Sequence, residues 1–181
     1  MKVLSKILII NFLLFALACS SSEEVFTPME KISDQGKIFS IGDFKPIGFK
    51  KSNEYNVEEL PGATSAFFGF IKNELGDPKD YEIRFYSTHS DAVNIGTKYA
   101  DNIVGENGCI NKGCSLWLEN LNQRTHLEGG RNNTWNATKA PKYNNYVIYN
   151  NLILFCSGYN ESDSMENCTV FIDKLEDSKL N

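Results

Sequence analysis

Two histidines of the chain precede an acidic residue by two positions: His89 precedes Asp91, and His126 precedes Glu128. Imidazole and carboxylate groups are common zinc ligands, and a histidine oriented by a carboxylate can act as a general base. The chain has no H-x-x-x-H pair, no G-x-S-x-G turn, no P-loop and no G-x-G-x-x-G sequence. We therefore predict no catalytic residue, no metal site and no cofactor.

An alternating stretch at 81–87 places a carboxylate, a guanidinium and a phenol on one side of a predicted strand. Successive side chains of a strand point to opposite faces, so Glu82, Arg84 and Tyr86 share one face. We predict that this face is open and forms a shallow ligand-binding surface, over which Trp117 or Trp135 closes. The alternative is a solvent-facing strand on which Arg84 pairs with a neighbouring acid.

The beginning of the chain is typical of a secretory signal peptide. Lys2 and Lys6 precede an apolar run at 7–18, which is shorter than the roughly 20 residues that a membrane-spanning helix needs. The run ends in the letters ALAC, with the cysteine at Cys19. This resembles the lipobox of bacterial lipoproteins, although Ala16 stands where that motif most often has leucine. The resemblance implies lipidation of Cys19, and the alternative is an ordinary A-x-A cleavage site that leaves Cys19 unmodified.

The cysteine count fits the same interpretation, because five cysteines become an even set when Cys19 carries a lipid. In an oxidising compartment the remaining four form disulfides. We favour Cys109–Cys114 and Cys156–Cys168, since each pair is close in sequence and lies within one local unit. The alternative is a four-thiolate zinc site, but these spacings do not match the tight C-x-x-C pairs of such sites.

The chain divides into a signal peptide at 1–18, a lipidated N-terminus with a flexible tether at 19–35, and a single extracytoplasmic domain at 36–181. The full chain has a formal net charge of −5, and removal of Lys2 and Lys6 makes the mature chain more acidic still. An acidic chain without a basic stripe argues against nucleic acid as a partner. The predicted partners are the membrane, through the lipid, and an unidentified small molecule or protein.

Secondary-structure patterns predict two strand-strand-helix units, at 66–104 and 146–176. Thr88 and Asp91 have the spacing of a helix start in the first unit. In the second unit, a hairpin turns at Asn150-Asn151, because asparagine tolerates left-handed backbone conformations. We predict an α+β fold in which two helices pack on one face of an antiparallel sheet.

Three further segments complete the interpretation. The alternation at 37–41 predicts a first strand, and Ser162 or Ser164 is the predicted cap of the second helix. The polar segment at 129–145 is long for a compact domain, and such loops are often functional. We therefore add it to the candidate binding surface.

Two sequence motifs resemble those of uncharacterised bacterial lipoproteins. One is LPGAT at 60–64 with FGF at 68–70, and the other is RFYSTHSDAV at 84–93. The resemblance covers about 57–105 and 143–176 and implies a location in the cell envelope. It implies no activity.

Three functional hypotheses follow, in order of preference. The first is a non-enzymatic, lipid-anchored binding module for a small solute or a protein ligand. The second is a structural or accessory subunit of a cell-envelope complex. The third is a hydrolase that uses His89 or His126.

Overall fold

The computed structural model describes residues 26–73, 75–128 and 137–180, and within them it shows a six-stranded sheet, a two-stranded sheet and two helical segments. The strands, in chain order, are β1 (Ile32–Ser33), β2 (Lys50–Tyr55), β3 (Ala63–Lys72), β4 (Pro78–Tyr86), β5 (Thr125–Glu128), β6 (Thr138–Pro141), β7 (Tyr143–Tyr149) and β8 (Leu152–Ser157). The larger sheet has the order β1-β7-β8-β4-β3-β2, and β5 pairs with β6 alone. The predicted α+β class is confirmed. The sheet is mixed and not antiparallel throughout, because β1 runs parallel to β7.

The first helical segment consists of α1 (His89–Asp91), a π-helical turn (Ala92–Gly96) and α2 (Thr97–Asp101). Its start is the predicted one: the Thr88 hydroxyl accepts a hydrogen bond from the Asp91 amide at 3.0 Å. This contact satisfies an amide that has no partner within the helix.

The second helical segment is α3 (Glu161–Leu180). The Asn160 side-chain oxygen accepts a hydrogen bond from the Asp163 amide at 2.9 Å, so Asn160 caps the helix in place of the predicted Ser162 or Ser164. No helix among the described residues combines the length and the apolar character that crossing a membrane requires.

The two helical segments cover opposite faces of the larger sheet. Phe171 of α3 packs in one apolar cluster with Leu154 of β8, whereas Ala100 of α2 packs in another cluster with Ile153 and Phe155. Because neighbouring residues of a strand point to opposite faces, the prediction that both helices lie on one face is wrong. Strand β8 is apolar on both sides, so its sequence does not indicate which side each helix covers.

The β7–β8 hairpin fastens the beginning of the domain to the sheet. Asn150 has a left-handed φ of 51°, as predicted for this turn, and its side-chain oxygen accepts hydrogen bonds from the amides of Gln35 and Lys37. The buried Asn151 side chain bonds both the amide and the carbonyl of Phe39. The segment at 35–39 is therefore held by side chains.

These contacts change the interpretation of the residues before Gly36. The predicted strand at 37–41 is absent, and a short 3-10 helix, Ile41–Phe44, follows instead. Part of the predicted tether at 19–35 contacts the sheet, since Ile32 and Ser33 pair with β7. The beginning of the predicted tether, with Cys19, and the signal peptide at 1–18 lie outside the described residues.

Both predicted disulfides are present. Cys109–Cys114 closes a small loop, and Cys156–Cys168 joins the end of β8 to α3, with Cα atoms 5.6 Å apart. The second bridge connects two elements of the same apolar cluster, and both of its sulfur-bearing side chains are fully buried.

Candidate functional site

Glu82, Arg84 and Tyr86 point to the same face of β4, as their alternation predicts, but this face is not open. The exposed fractions of the three residues are 0%, 0% and 1%. The first helical segment packs against Tyr86, and Trp117 of the irregular segment at 102–124 packs over Arg84. The predicted open surface is therefore a closed interior.

The carboxylate of Glu82 bridges two arginines. Its Oε1 accepts a hydrogen bond from Arg84 Nε at 2.7 Å, and its Oε2 accepts one from Arg124 Nε, also at 2.7 Å. Arg124 is as buried as its partners, and its Nη1 also donates to the carbonyl of Trp117 at 3.2 Å. One buried carboxylate thus pairs with two buried guanidinium groups.

Aromatic rings separate and flank the two guanidinium groups. Arg84 lies over Phe155 at 4.3 Å and over Trp117 at 4.9 Å, measured from the guanidinium carbon to the ring centroid. Arg124 lies over Trp117 at 4.1 Å and over Tyr55 at 5.3 Å. Trp117 therefore packs on Arg84 within a closed interior and does not cover an open binding surface, whereas Trp135 lies outside the described residues.

We call this set the guanidinium cluster; its members are Tyr55, Glu82, Arg84, Tyr86, Trp117, Arg124, Tyr143 and Phe155. Each cation–π contact contributes about 0.5–2 kcal/mol. The effective cost of burying a single ion is several kcal/mol, and good pairing is needed to offset it. The rings consequently offset only part of the cost of the second guanidinium.

The charges of the cluster determine its protonation. Burial alone raises the pKa of Glu82, but the charges of Arg124 and Arg84 and their hydrogen bonds outweigh burial and hold this pKa below its usual value of 4.5. Burial lowers the pKa of Arg84, and Glu82 opposes that effect. A guanidinium does not lose its proton in proteins, so all three groups are charged at neutral pH.

Several polar atoms of the guanidinium cluster have no hydrogen-bond partner among the described residues. They are Arg84 Nη1, Arg124 Nη2, Trp117 Nε1 and the hydroxyl groups of Tyr55 and Tyr143. The Tyr86 hydroxyl lies within hydrogen-bond reach of Arg84. Burial raises the pKa of each of the three tyrosines, and the charge of Glu82 raises it further. The tyrosines are therefore neutral, and none of them supplies a second negative charge.

Sequence reasoning missed Arg124. It lies at the end of a 3-10 helix, Leu121–Arg124, within a segment that has no strand or helix periodicity. The residues around it resemble an exposed polar loop. The one indirect signal was Glu82, since a carboxylate on a buried strand requires a cationic partner.

A groove lies where the two sheets meet, and it is separate from the guanidinium cluster. Its volume is about 460 Å³. The start of β4, the end of β8 and strand β5 form its walls, and its lining residues are Pro78, Lys79, Asp80, His126, Leu127, Glu128, Lys142, Ser157, Gly158 and Tyr159. A second cavity of about 480 Å³ lies beside it and shares Glu128 and Tyr159 in its lining.

One ion pair and one contact between a histidine and a carboxylate lie along this groove. Lys142 Nζ lies 2.7 Å from Asp80 Oδ2, and His126 Nε2 lies 3.2 Å from Glu128 Oε1. Leu127 and Tyr159 are exposed by 69% and 94% and give the groove an apolar rim. This combination of apolar walls and a few converging polar groups is typical of small-molecule sites.

The two histidines have different environments. His89 Nδ1 lies 2.8 Å from the carbonyl oxygen of Asn150, so His89 is part of the contact between α1 and the β7–β8 hairpin. His126 faces the groove. No group of three or more potential metal-ligating side chains converges in the described ranges.

Together, these features define a small α+β domain with two disulfides, a charged aromatic interior and a surface groove between its two sheets. The chain belongs to a family of unknown function, DUF6810, whose model matches residues 40–177. No curated protein and no solved structure matches the chain.

Proposed function

We propose that this protein is a lipid-anchored extracytoplasmic binding module that holds a small solute in the groove between its two sheets. The observation that carries the proposal is the groove itself. Its volume of about 460 Å³ lies within the range of roughly 300–1,000 Å³ that is usual for ligand sites. It is also accessible, whereas Glu82, Arg84, Tyr86 and Trp117 are not.

The lining of the groove favours a solute that carries both charges. Lys79 and Lys142 offer cations, Asp80 and Glu128 offer carboxylates, and all four lie in the same groove. Amino acids and dipeptides carry one ammonium and one carboxylate group, which these side chains could pair with. Apolar contacts of their side chains with the exposed rim would supply the rest of the binding free energy.

Binding can be tested by NMR titration of the protein with the standard amino acids and with glycine-containing dipeptides. We expect chemical-shift changes at the amides of 78–80, 126–128 and 157–159 that saturate for one class of solute. Leu127→Ala removes part of the rim and should weaken binding by about tenfold, since burial of a leucine side chain is worth about 1.5–3 kcal/mol.

The matched control is Leu75→Ala, because Leu75 is also an exposed leucine, at 87% against 69% for Leu127, but does not line the groove. It should leave the titration unchanged. If no solute of the panel shifts these amides, or if both variants weaken binding equally, the groove does not bind a zwitterionic solute.

The location of the protein in the cell envelope is part of the same proposal. The two disulfides support an oxidising compartment, and the lipobox-like letters ending at Cys19 support lipidation after removal of 1–18. The mass of the protein isolated from membranes should correspond to a chain that begins at Cys19 with acyl groups and has four oxidised thiols. A chain that retains its first eighteen residues and has reduced thiols would contradict the proposed location.

One observation favours a hydrolase as a second candidate. His126 lies in the groove beside Glu128, and Ser157 lines the same groove. However, among the described side chains no hydroxyl or thiol hydrogen bonds to His126, and the Ser157 hydroxyl already accepts a bond from the Asp80 amide. Replacement of His126 by glutamine would leave solute binding largely intact in a binding module and would abolish turnover in a hydrolase.

A further inference from the structure

The guanidinium cluster has a charge imbalance that its own residues do not remove. Arg84 and Arg124 are both charged, both are at most 1% exposed, and Glu82 is the carboxylate that contacts them in the described part of the chain. Glu82 cannot balance two cations. Among the fully buried side chains that the structure describes, the cluster therefore carries one more positive than negative charge.

The unpartnered donors belong to the same cluster. Arg84 Nη1, Arg124 Nη2 and Trp117 Nε1 are N–H donors, and the hydroxyl groups of Tyr55 and Tyr143 can donate as well. Buried polar groups in folded proteins almost always have a partner. The group that satisfies several of these donors must therefore be a hydrogen-bond acceptor.

We propose that the guanidinium cluster binds one halide-sized, monovalent anion as an internal counter-ion. Buried water could satisfy the donors but would leave the surplus charge uncompensated. A monovalent anion satisfies the donors and also balances the charge.

The geometry restricts the size of this anion. The groove that we propose for the solute is lined by other residues, and the side chains of the cluster are buried on all sides. An organic anion of metabolite size would have to displace Trp117 or Phe155 from the guanidinium groups. Chloride has the required charge and, being a single atom, would displace these side chains least.

The burial also determines how the anion enters. Trp117 and Arg124 belong to one irregular segment that covers the sheet, so the site opens only when this segment leaves the sheet. We therefore expect slow exchange in the folded protein and capture of the anion during folding. This inference does not depend on the proposed solute or on the groove.

The direct test is to unfold the protein with its disulfides intact, refold it in sodium bromide, and measure anomalous diffraction at the bromine absorption edge. Refolding avoids the slow exchange that would limit a soak. We expect one internal peak within hydrogen-bond distance of Arg84 and Arg124. Ordered water alone in the cluster, or bromide only at exposed lysines as an adventitious ion, would overturn the proposal.

A second test measures thermal unfolding after refolding at constant ionic strength, with chloride replaced stepwise by gluconate, which is too large for the site. The Tm should rise with the logarithm of the chloride concentration, because a ligand that binds only the folded state stabilises it in this way. A Tm that is independent of chloride would contradict the proposal.

Two substitutions make this test specific. Arg124→Met removes the surplus charge and keeps an aliphatic side chain, so the Tm should no longer depend on chloride. Lys51→Met removes a surface cation whose pair with Glu54 is exposed, and the dependence should persist. If Arg124→Met does not fold, Arg84→Met carries the same expectation, and the bromide experiment needs no variant.

Discussion

At the scale of single residues, the molecule is organised by a carboxylate on a central strand. Glu82 lies on β4 between β3 and β8, and both of its oxygens are used by arginines. Arg84 comes from the same strand, whereas Arg124 comes from a segment about forty positions later. The pair Glu82–Arg124 therefore attaches that segment to the sheet.

The first prediction concerns this pair. Glu82→Gln should lower the free energy of unfolding by about 3–5 kcal/mol, because it leaves two buried guanidinium groups without their counter-charge. The measurement is chemical denaturation, with Glu54→Gln as the matched control. Glu54 pairs with Lys51 at the surface, where such pairs contribute about 0–1 kcal/mol. Equal losses in the two variants would show that Glu82 does not stabilise the interior.

The second prediction concerns pH. The pKa of Glu82 in the folded protein lies below its usual value of 4.5, so its contribution to stability is complete above that value and is lost as the pH falls through the folded pKa. The difference in free energy of unfolding between the wild type and Glu82→Gln should therefore shrink on acidification below about pH 4. A difference that stays constant between neutral and acidic pH would contradict the lowered pKa.

Residue types predicted part of this arrangement. Alternation indicated that Glu82, Arg84 and Tyr86 share a face, and the presence of two tryptophans indicated a cover. The burial itself was not predictable from β4, because it depends on Trp117 and Arg124 in a segment without periodicity. A polar strand face can be exposed to solvent or can be buried against side chains that pair with it. Only the position of the pairing residue, which is distant in sequence, distinguishes the two cases.

At the scale of elements, the close approach of the first helical segment to the sheet depends on Gly96. A Cβ atom at Gly96 would lie 2.5 Å from Ile153 Cδ1 and 2.7 Å from the Tyr86 hydroxyl. Both neighbours are buried side chains of central strands, and neither can move into solvent. The π-helical turn that ends at Gly96 brings its backbone to this position.

We expect Gly96→Ala to destabilise the protein by about 1–3 kcal/mol, the usual cost of overpacking a core. Thermal or chemical unfolding measures the loss. Gly42→Ala is the control, since the nearest atom to its added Cβ would be the Ser40 hydroxyl oxygen at 3.7 Å. If the two variants are equally stable, the contact between Gly96 and the sheet is looser than the structure indicates.

The disulfides provide another prediction at this scale. Removal of Cys156–Cys168 by a double alanine substitution should cost about 2–5 kcal/mol, because the bridge closes the longer loop and joins α3 to β8 inside the apolar cluster. Removal of Cys109–Cys114 should cost less, because that loop is shorter and Cys114 is exposed. Denaturation of the two double variants side by side checks the order, and the reverse order would contradict it.

The elements were the more predictable part of the fold. Thr88 and Asp91 marked a helix start, Asn150 marked a turn, and the spacing of the cysteines indicated their pairing. The side of the sheet that each helix covers could not be inferred, because β8 is apolar on both faces. The cap of α3 was not predictable for a similar reason. Asn160 and Ser162 are both favourable cap residues, and the backbone conformation at the start of the helix determines which one caps it.

At the scale of the whole molecule, the larger sheet and its two covers form the stable body, and the small β5–β6 sheet is attached at one end. Two-stranded sheets are marginally stable by themselves. Strand β5 begins directly after Arg124, so the cluster positions one wall of the groove. The interior and the proposed binding site are thus linked through a single residue position.

Hydrogen exchange should show this division. We expect the amides of β4, β7 and β8 to exchange at the rate of global unfolding, since these strands are buried on both faces, and those of β5 and β6 to exchange faster through local opening. Exchange measured by mass spectrometry on the oxidised protein resolves the two groups. Equal protection of both sheets would mean that the groove wall is part of the same cooperative unit.

The two-residue strand β1 has a mechanical consequence. It is bound to β7 through the pairs Ile32–Ile148 and Ser33–Tyr149. The side chains of Asn150 and Asn151 hydrogen bond to the backbone of the segment at 35–39, which follows β1. A force applied to the chain N-terminal to β1 would act on these few contacts before it acted on the disulfide-bonded core. Strand β1 would therefore detach first, and the rest of the sheet and the groove would stay folded under that force.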